Sequence, residues 1–393
     1  GLVICVGPAI MMKFVAEDVN GSTVSGPSPT KEQAACVEAF GTRENVTISA
    51  LAGAGKTTTL KLLSAAAGYR RGLYLAYNKA IADDAQGGFT VNTTCMTAHS
   101  LAYRWMVRQW GDALKDRLRG NRVTPVEVAR ILGVKDYLKL DGFALAPHQV
   151  ARIAMETVGR FCYTDDEEID WSHVPAVPRV DDHTQRRMLA RVVAPLAARA
   201  WDDLSRPDGK LRYSHDHYLK SFCLSRPRLS YDFVLLDESQ DSNGVIVGLL
   251  RDQPTQVVAV GDINQAIYRW RSTVSAMDAF GSAHQMALTQ SWRFGPAIAE
   301  EANKWLEVLD SPLRVTAGDP GRPSRLAELG TQAAAVLCRT NAAVVEEVIA
   351  CHVAGRKVAI VGGGDDIVSF ARAVLELKER GRTSHPDLFP FTT

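Results

Sequence analysis

The sequence lacks the marks of a zinc, redox or membrane protein. Its seven cysteines, at positions 5, 36, 95, 162, 223, 338 and 351, include no C-x-x-C pair, which disfavours a zinc ribbon, a thioredoxin motif and a closely spaced iron–sulfur ligand set. No apolar run approaches the roughly 20 residues of a membrane span, and the first residues lack the basic segment of a signal peptide. We therefore expect reduced, mostly buried cysteines in an intracellular protein with no membrane partner, cytoplasmic or at the nucleoid, or nuclear in a eukaryote.

The sequence also has little excess charge of either sign. Lys and Arg number 45 against 44 Asp and Glu, a net charge of +1. This balance argues against a generally polybasic nucleic-acid binder, so any such binding must use a local groove. With 393 residues and 46% hydrophobic content, the chain can bury a large core and is long enough for two or three domains.

One stretch has the pattern of a strand, a phosphate loop and a helix. An apolar run at 46–51 predicts a buried strand, which breaks at Gly53 and Gly55 before a helical pattern at 57–67. Glycine lets the backbone turn its N–H groups toward phosphate oxygens at the positive end of a helix. Lys56 would reach the β- and γ-phosphates and the Thr57 hydroxyl would complete a Mg²⁺ shell, which predicts ATP and Mg²⁺ as cofactors. The alternative is an ordinary glycine-rich turn before a lysine.

A second apolar run, 233–236, ends in two carboxylates. Asp237 is predicted to hold Mg²⁺ through water, and Glu238 to activate the attacking water as general base. A solvated acidic turn is the alternative interpretation. The nucleotide interpretation is favoured because Lys56 and this pair occur in the expected order, each at the end of its own hydrophobic strand.

A third cluster, 261–271, follows another core strand. It contains Gln265 as a candidate polar sensor, and the aromatics Tyr268 and Trp270 beside arginines that include Arg271. Such aromatics suit stacking on unpaired bases while the cations neutralise phosphates. Core aromatics capped by arginines remain the alternative.

These stretches resemble the ordered motifs of superfamily 1A DNA helicases of the UvrD/Rep/PcrA type, including the F-box DNA helicase branch. The matching positions are Gln33 for the Q motif, 52–58 for motif I, 77–80 for motif Ia, 95–100 for the next DNA-contacting motif, 237–241 for motif II, 261–271 for motif III and 290–293 for motif IV. Ala98 stands where the family has an aromatic residue. Gln33 has a second interpretation, as the capping-box partner of Thr30.

The resemblance implies a role for each matched residue. The ATP-binding residues would be Gln33, Ala52, Gly53, Ala54, Gly55, Lys56, Thr57, Thr58 and Trp292, with Thr57 and Asp237 as Mg²⁺ ligands. The catalytic residues would be Lys56, Asp237, Glu238, Gln265 and Arg293. The DNA-binding residues would be Tyr77, Asn78, Lys79, Thr97, His99, Tyr268, Trp270 and Arg271.

The expected fold is α/β, with a RecA-like parallel sheet, a helical insertion and a second RecA-like domain. The predicted parts are an extension and linker at 1–29, a first RecA-like domain at 30–100 and 226–285, a helical insertion at 101–225, and a partial second domain at 286–393. Two late motifs of the family are not found, so the second domain is expected to be incomplete. Within the insertion, the basic cluster 115–122 is predicted to be a solvated face, and His215 and His217 to be surface residues on a helix and not metal ligands.

The sequence thus predicts the core of an ATP-dependent DNA helicase or translocase, 3′ to 5′ by resemblance. Its partner would be single-stranded DNA or a junction of single and double strands. Two alternatives stay open: a truncated module that binds ATP and DNA without unwinding, and a non-helicase ATPase. The latter would share Lys56 and Asp237 but would have no use for the pair Tyr268 and Trp270.

Overall fold

The computed structural model describes residues 2–5, 28–120, 123–140, 142–177, 180, 182–266, 277–327, 335–361, 363–383, 385 and 388. The chain divides into two compact units, Pro27–Ser324 and a second unit that combines Gly1–Gly26 with Arg325–Thr393. The strands are β1 (Leu2–Cys5), β2 (Val46–Ala50), β3 (Gly72–Ala76), β4 (Thr93–Thr97), β5 (Leu138–Leu140), β6 (Phe143–Leu145), β7 (Phe233–Leu236), β8 (Gln256–Gly261), β9 (His284–Leu288), β10 (Gln290–Ser291), β11 (Thr316–Ala317), β12 (Ala335–Leu337) and β13 (Val358–Val361).

The helices alternate with the strands of the larger unit and then run consecutively between β4 and β7. They are α1 (Lys31–Gly41), α2 (Lys56–Ala66), α3 (Lys79–Ala85), α4 (Ala98–Trp110), α5 (Ala113–Arg119), α6 (Pro125–Ile131), α7 (Pro147–Phe161), α8 (His183–Leu204), α9 (His215–Leu224), α10 (Gly244–Arg251), α11 (Pro296–Val308), α12 (Asn341–Val353) and α13 (Asp365–Arg380). Short 3₁₀ turns lie at Trp171–His173, Ser239–Asp241 and Ile263–Gln265. Within the described residues, no helix combines the length and apolar character needed to cross a bilayer.

The larger unit is built on a six-stranded sheet in the order β4-β3-β7-β8-β2-β9, and all of its pairs are parallel. The α/β class predicted from the sequence is confirmed. Strands β3, β7 and β8 are buried along their whole length, as expected for parallel strands covered by helices on both faces. Because all six strands run the same way, their carboxyl ends meet at one edge, where open α/β sheets bind ligands.

The sixth strand, β9, differs from the sequence prediction. It pairs in parallel with β2, placing Met286 opposite Ile48 and Leu288 opposite Ala50. The predicted boundary at 285/286 therefore falls inside a strand of the first sheet. The sequence gives a weak signal here because β9 is only partly buried before Leu288.

The helical layer between β4 and β7 has its own apolar core, which includes Ala102, Val150, Val193 and Leu204. The layer is not wholly helical, since β5 and β6 form an antiparallel hairpin within it. The basic cluster at 115–122 is also only partly a solvated face. Arg117 is half-buried, donates to the carbonyl oxygen of Leu211 at 2.7 Å and lies over the Tyr213 ring, while Arg122 lies outside the described residues.

The two histidines at the start of α9 have different surroundings. His215 is exposed, whereas His217 is buried, so the prediction of a surface residue is wrong for His217. Its Nδ1 accepts a hydrogen bond from the backbone N–H of Ser214 at 3.0 Å, and burial lowers its pKa to about 4. No group of three potential metal ligands occurs in the part of the chain that the structure describes.

The smaller unit contains a three-stranded parallel sheet in the order β12-β1-β13. Val344 and Cys351 of α12 are buried against this sheet. The central strand is Leu2–Cys5, which the sequence prediction had assigned to an extension. Its two partner strands, β12 and β13, lie near the other end of the sequence, and such a long-range pairing leaves no local signal.

A close contact at Gly72 in the sheet core gives a stability prediction. A Cβ added to Gly72, the first residue of β3, would overlap the Phe233 ring and lie 2.9 Å from the Thr93 hydroxyl. Phe233 is itself fixed against Phe40, with ring centroids 5.2 Å apart. We expect Gly72→Ala to lower the free energy of unfolding by about 1–3 kcal/mol, as overpacking does, measured by urea denaturation.

The matched control for this substitution is Gly87→Ala. A Cβ at Gly87 would meet no atom within 4 Å, so the control should unfold like the wild type. Equal stabilities of the two variants would contradict the packing assigned to Gly72.

Candidate nucleotide and nucleic-acid site

The glycine loop, residues 51–55, joins β2 to α2 at the carboxyl edge of the sheet. Gly53 and Gly55 both have left-handed backbone angles, with φ of 74° and 83°, which explains why glycine is needed at both positions. Ala54 donates from its N–H to the Leu51 carbonyl at 3.1 Å, and this bond closes the turn. Helix α2 then begins at Lys56, and Thr57 and Thr58 are exposed in its first turn.

Lys56 and Glu238 form an ion pair between two loops. The Nζ atom of Lys56 lies 2.7 Å from Oε2 of Glu238. Glu238 follows β7 in a left-handed conformation, with φ of 48°, an unusual angle for a residue other than glycine. The structure therefore brings together the lysine and the carboxylate that the sequence predicted as partners in one site.

Asp237, beside this pair, is buried and bonded to Tyr74. The Tyr74 hydroxyl donates to Oδ2 of Asp237 at 2.7 Å, and the Glu238 N–H donates to Oδ1 at 2.9 Å. Burial and the adjacent Glu238 charge raise the pKa of Asp237 above its usual range. Burial, followed by the Asp237 charge, raises the pKa of Tyr74. Tyr74 is a site residue that the sequence prediction missed, and its position 163 residues earlier gives no local signal.

A chain of hydrogen bonds runs from the end of β8 to Glu238. Gln265 donates from Nε2 to Oδ2 of Asp262 at 2.6 Å. The Asp262 N–H donates to Oε1 of Gln240 at 3.0 Å, and Gln240 donates from Nε2 to Oε2 of Glu238 at 2.9 Å. The predicted sensor Gln265 is thus linked to the predicted general base through Asp262 and Gln240, two residues for which no role was predicted.

Asp241 completes a group of three carboxylates around one lysine. Burial and then the Glu238 charge raise the pKa of Asp241 to about 6. Its Oδ1 atom is buried and has no hydrogen-bond partner among the described residues. The three carboxyl groups are not arranged as ligands of one ion in the described residues, but the unpartnered buried oxygen of Asp241 is of the type that a hard divalent cation such as Mg²⁺ binds.

Trp292 and Arg293 lie against the glycine loop. The Trp292 N–H donates to the Gly53 carbonyl at 3.0 Å, and a Cβ added to Gly53 would lie 2.7 Å from Cβ of Arg293. The Trp292 side chain is 48% exposed and packs over Gly318, where an added Cβ would lie 2.6 Å from the indole. Both predicted residues of motif IV are therefore next to the predicted phosphate site.

Gln33 is buried, and both ends of its side-chain amide are bonded. Its Oε1 accepts from the Thr30 N–H at 3.0 Å, and the Thr30 hydroxyl accepts from the Gln33 N–H at 3.2 Å, which forms the capping box of α1. Its Nε2 donates to the Thr59 hydroxyl at 3.3 Å, and that hydroxyl donates to the Gly55 carbonyl at 3.0 Å. The capping interpretation is therefore correct, and the adenine interpretation stays a prediction.

The predicted DNA-binding residues follow β3 and β4. Asn78 caps α3 by accepting from the Ile81 N–H at 3.0 Å, and Thr97 caps α4 by accepting from the Ser100 N–H at 3.0 Å. His99 lies 3.1 Å from Oδ1 of Asp216 through its Nε2 atom. Tyr77 and Lys79 are exposed.

Three further predicted DNA-binding residues cannot be placed. Tyr268, Trp270 and Arg271 lie outside the described residues. The remaining candidates lie in sheet order along the carboxyl edge. The DNA-binding candidates follow β4 and β3, the acidic residues follow β7 and β8, the glycine loop follows β2, and Trp292 lies beyond β9.

Comparison with known proteins finds similarity to helicases. The UvrD/REP helicase N-terminal domain matches residues 209–282. F-box DNA helicase 1 of Gallus gallus is 30% identical over 331 residues, covering 81% of this chain and 32% of the chicken protein. F-box DNA helicase protein 1 of Schizosaccharomyces pombe is 26% identical over 396 residues, covering 93% of this chain and 44% of the yeast protein. The chain thus spans less than half the length of each relative.

The sheet order and the motifs at its carboxyl edge define an α/β protein with a RecA-like helicase fold. The chain belongs to the UvrD-like helicases of superfamily 1, in the branch of the F-box DNA helicases. The resemblance found in the sequence is therefore confirmed at the level of the family. The roles of the individual residues remain predictions.

The carboxylate group gives a pH-dependent prediction. The pKa of Asp241 is raised from 3.8 to about 6 in the folded protein. The protonated carboxyl group therefore contributes its full stabilisation of the folded state below its ordinary pKa, and this contribution is lost as the pH rises through about 6. Without nucleotide or metal, Asp241→Asn should raise the free energy of unfolding at pH 7.5 by about 1–2 kcal/mol and should give little gain at pH 4. Urea titrations at both pH values measure this.

Asp136→Asn is the control, because Asp136 is exposed and its substitution should change neither value. If Asp241→Asn is no more stable than the wild type at pH 7.5, the proposed destabilisation of the Asp241 carboxylate by burial and by the Glu238 charge is wrong.

Proposed function

We propose that this chain is the core of an ATP-dependent DNA helicase or translocase that binds Mg-ATP and single-stranded DNA and moves 3′ to 5′. The observation that carries the proposal is the 2.7 Å pair between Lys56 and Glu238 beside a left-handed glycine loop. A cation, a general base and backbone N–H groups at one sheet edge are the parts that phosphoryl transfer requires. The names of both relatives, which are DNA helicases, support DNA as the partner.

The ion pair also supports a sequence of events at the site. Lys56 would exchange Glu238 for the β- and γ-phosphates when ATP binds, and Glu238 would then be released to accept a proton from the attacking water. Gln240 bonds the same Glu238 oxygen at 2.9 Å, so the carboxylate would keep its orientation after the lysine leaves. Arg293 would stabilise charge on the γ-phosphate, and Trp292 would stack on adenine.

The carboxylates would also hold the metal. Thr57 would bind Mg²⁺ directly and Asp237 through water, with the Tyr74 hydroxyl fixing the Asp237 side chain. When bound, Mg²⁺ would neutralise charge on the phosphate oxygens.

DNA would lie along the β3 and β4 end of the same edge, with single-stranded DNA or a single-strand and duplex junction as the partner. The chain from Gln265 through Asp262 and Gln240 to Glu238 would couple the nucleotide state to the segment that follows Gln265. That segment contains Tyr268, Trp270 and Arg271, which are proposed to stack on bases and contact phosphates.

Two substitutions in the ion pair should separate binding from hydrolysis. Lys56→Ala should abolish ATP binding or nearly so, because the phosphates lose the cation of the loop, whereas Glu238→Gln should bind ATP and fail to hydrolyse it. A fluorescent ATP analogue measures binding, and phosphate release with and without single-stranded DNA measures hydrolysis.

Lys61→Ala is the control, since Lys61 lies on the same helix but is not one of the proposed phosphate contacts. The wild type and this control should show DNA-stimulated hydrolysis. Binding of the analogue by Lys56→Ala at wild-type strength would show that the phosphates bind elsewhere.

Trp270 tests the DNA part of the proposal. Trp270→Ala should weaken single-stranded DNA binding by about 1–3 kcal/mol, the range for one lost base stack, and should leave the affinity for the ATP analogue unchanged. Pyrimidine and mixed sequences should be affected alike because stacking reads no hydrogen-bond pattern. A variant that melts early and loses both ligands would instead assign Trp270 to the core.

A further inference from the structure

A groove at the opposite edge of the first sheet concentrates positive charge. It has a volume of about 570 Å³ and is lined by four arginines, Arg71, Arg104, Arg108 and Arg228, together with Trp105 and Tyr231. No acidic residue lines it. Arg71 directly precedes β3, and Tyr231 lies two residues before β7, so the groove lies at the amino ends of these strands, away from the glycine loop.

The four arginines have no ion-pair partner among the described residues, and all four are exposed. The carboxylate of Asp232 is beside the groove, but its Oδ2 atom accepts from the backbone N–H of Arg71 at 2.7 Å. Arg104 and Arg108 are one turn apart on α4, a spacing at which like charges repel and destabilise a helix. In a chain with a net charge of only +1, this local excess of positive charge is complementary to an anionic ligand.

We propose that this arginine groove binds the phosphodiester backbone of nucleic acid as a second contact region, separate from the sheet edge of the proposed function. Guanidinium groups match phosphate geometry with paired hydrogen bonds. The Cβ atoms of Arg104 and Arg108 are about 5–6 Å apart by helix geometry, and a DNA strand presents a phosphate about every 3.4 Å of its axis. The Cβ separation spans between one and two such intervals, and the long arginine side chains can therefore contact nearby phosphates of one strand.

Helix α4 connects the two regions. It begins at the carboxyl end of β4 beside His99 and ends at Trp110. At a rise of about 1.5 Å per residue, Arg108 lies about 14 Å along the helix from His99. A strand that contacts His99 would reach Arg108 after about four more nucleotides. The groove should therefore matter only for DNA that extends past the first contact region.

This inference rests on the proposed function, and the test separates the two. The variant is Arg104→Gln with Arg108→Gln, compared with the wild type by fluorescence anisotropy without nucleotide. The probes are labelled oligo-dT of 8 and of 30 nucleotides and a duplex with an 8-nucleotide single-stranded tail, each measured from 50 to 200 mM NaCl. A thermal melt checks the fold of the variant.

The 8-nucleotide probe should lose less affinity than the 30-nucleotide probe, because it can occupy the first contact region in registers that do not extend to Arg108. For the 30-nucleotide probe, each lost phosphate contact should cost about fivefold in affinity at 0.1 M salt and reduce the slope of log K against log salt by about 0.7. A loss confined to the tailed duplex would also support the groove and would identify the duplex as the source of the phosphates. Unchanged binding of both long probes would overturn the inference, as would an equal loss on all three probes.

Lys115→Gln with Arg119→Gln is the matched control, because these two cations have the same spacing on the neighbouring helix α5 and lie outside the groove. It should bind every probe like the wild type. A wild-type chain that binds none of the probes would overturn the proposed function together with the inference, whereas wild-type binding with an unaffected arginine variant overturns the inference alone.

Discussion

The ion pair between Lys56 and Glu238 determines how the candidate site is assembled. Strands β2 and β7 are not neighbours, because β8 lies between them, yet the loops that follow them meet at 2.7 Å. The contact offsets negative charge in the absence of phosphate. Asp237 and Asp241 have raised pKa values, to which burial and the Glu238 charge contribute, and the Lys56 charge opposes this rise in both groups. In the proposed function, the same negative charge would favour binding of a metal ion together with the phosphates.

The sequence predicted the parts of this site that are local and could not predict those that depend on sheet order. The glycines at 53 and 55 were identifiable because their backbone angles allow few other residues. The ends of β7 and β8 were identifiable from continuous apolar runs. By contrast, Tyr74 reaches Asp237 only because β3 and β7 are adjacent in the sheet, and adjacency of parallel strands is not encoded in a short pattern. The predicted domain boundary at 285/286 falls inside β9 for the same reason, because only the pairing of β9 with β2 assigns this strand to the first sheet.

Several predicted ligand residues also cap helices. Asn78 and Thr97 accept from the first turns of α3 and α4, and Gln33 completes the capping box of α1. These bonds explain the residue types at the three positions without any ligand, and the ligand roles remain predictions. The roles are compatible at Asn78 and Thr97, because a cap fixes where the helix starts at the sheet edge. Lys79 and His99 follow these caps by one and two residues, and their positions are set by them.

The helical layer has a direct part in that positioning. Asp216, in the first turn of α9, lies 3.1 Å from His99 and accepts from the Tyr163 hydroxyl at 3.2 Å. Although burial opposes ionisation, the hydrogen bonds with His99 and Tyr163 lower the pKa of Asp216, so it is a charged acceptor within the layer. Asp216 of α9, supported by Tyr163 just beyond α7, thus holds His99 at the start of α4. The layer is therefore more than a filler of space. A shift of α9 would move His99 and, because His99, Arg104 and Arg108 all lie on α4, it would also move these two arginines of the groove.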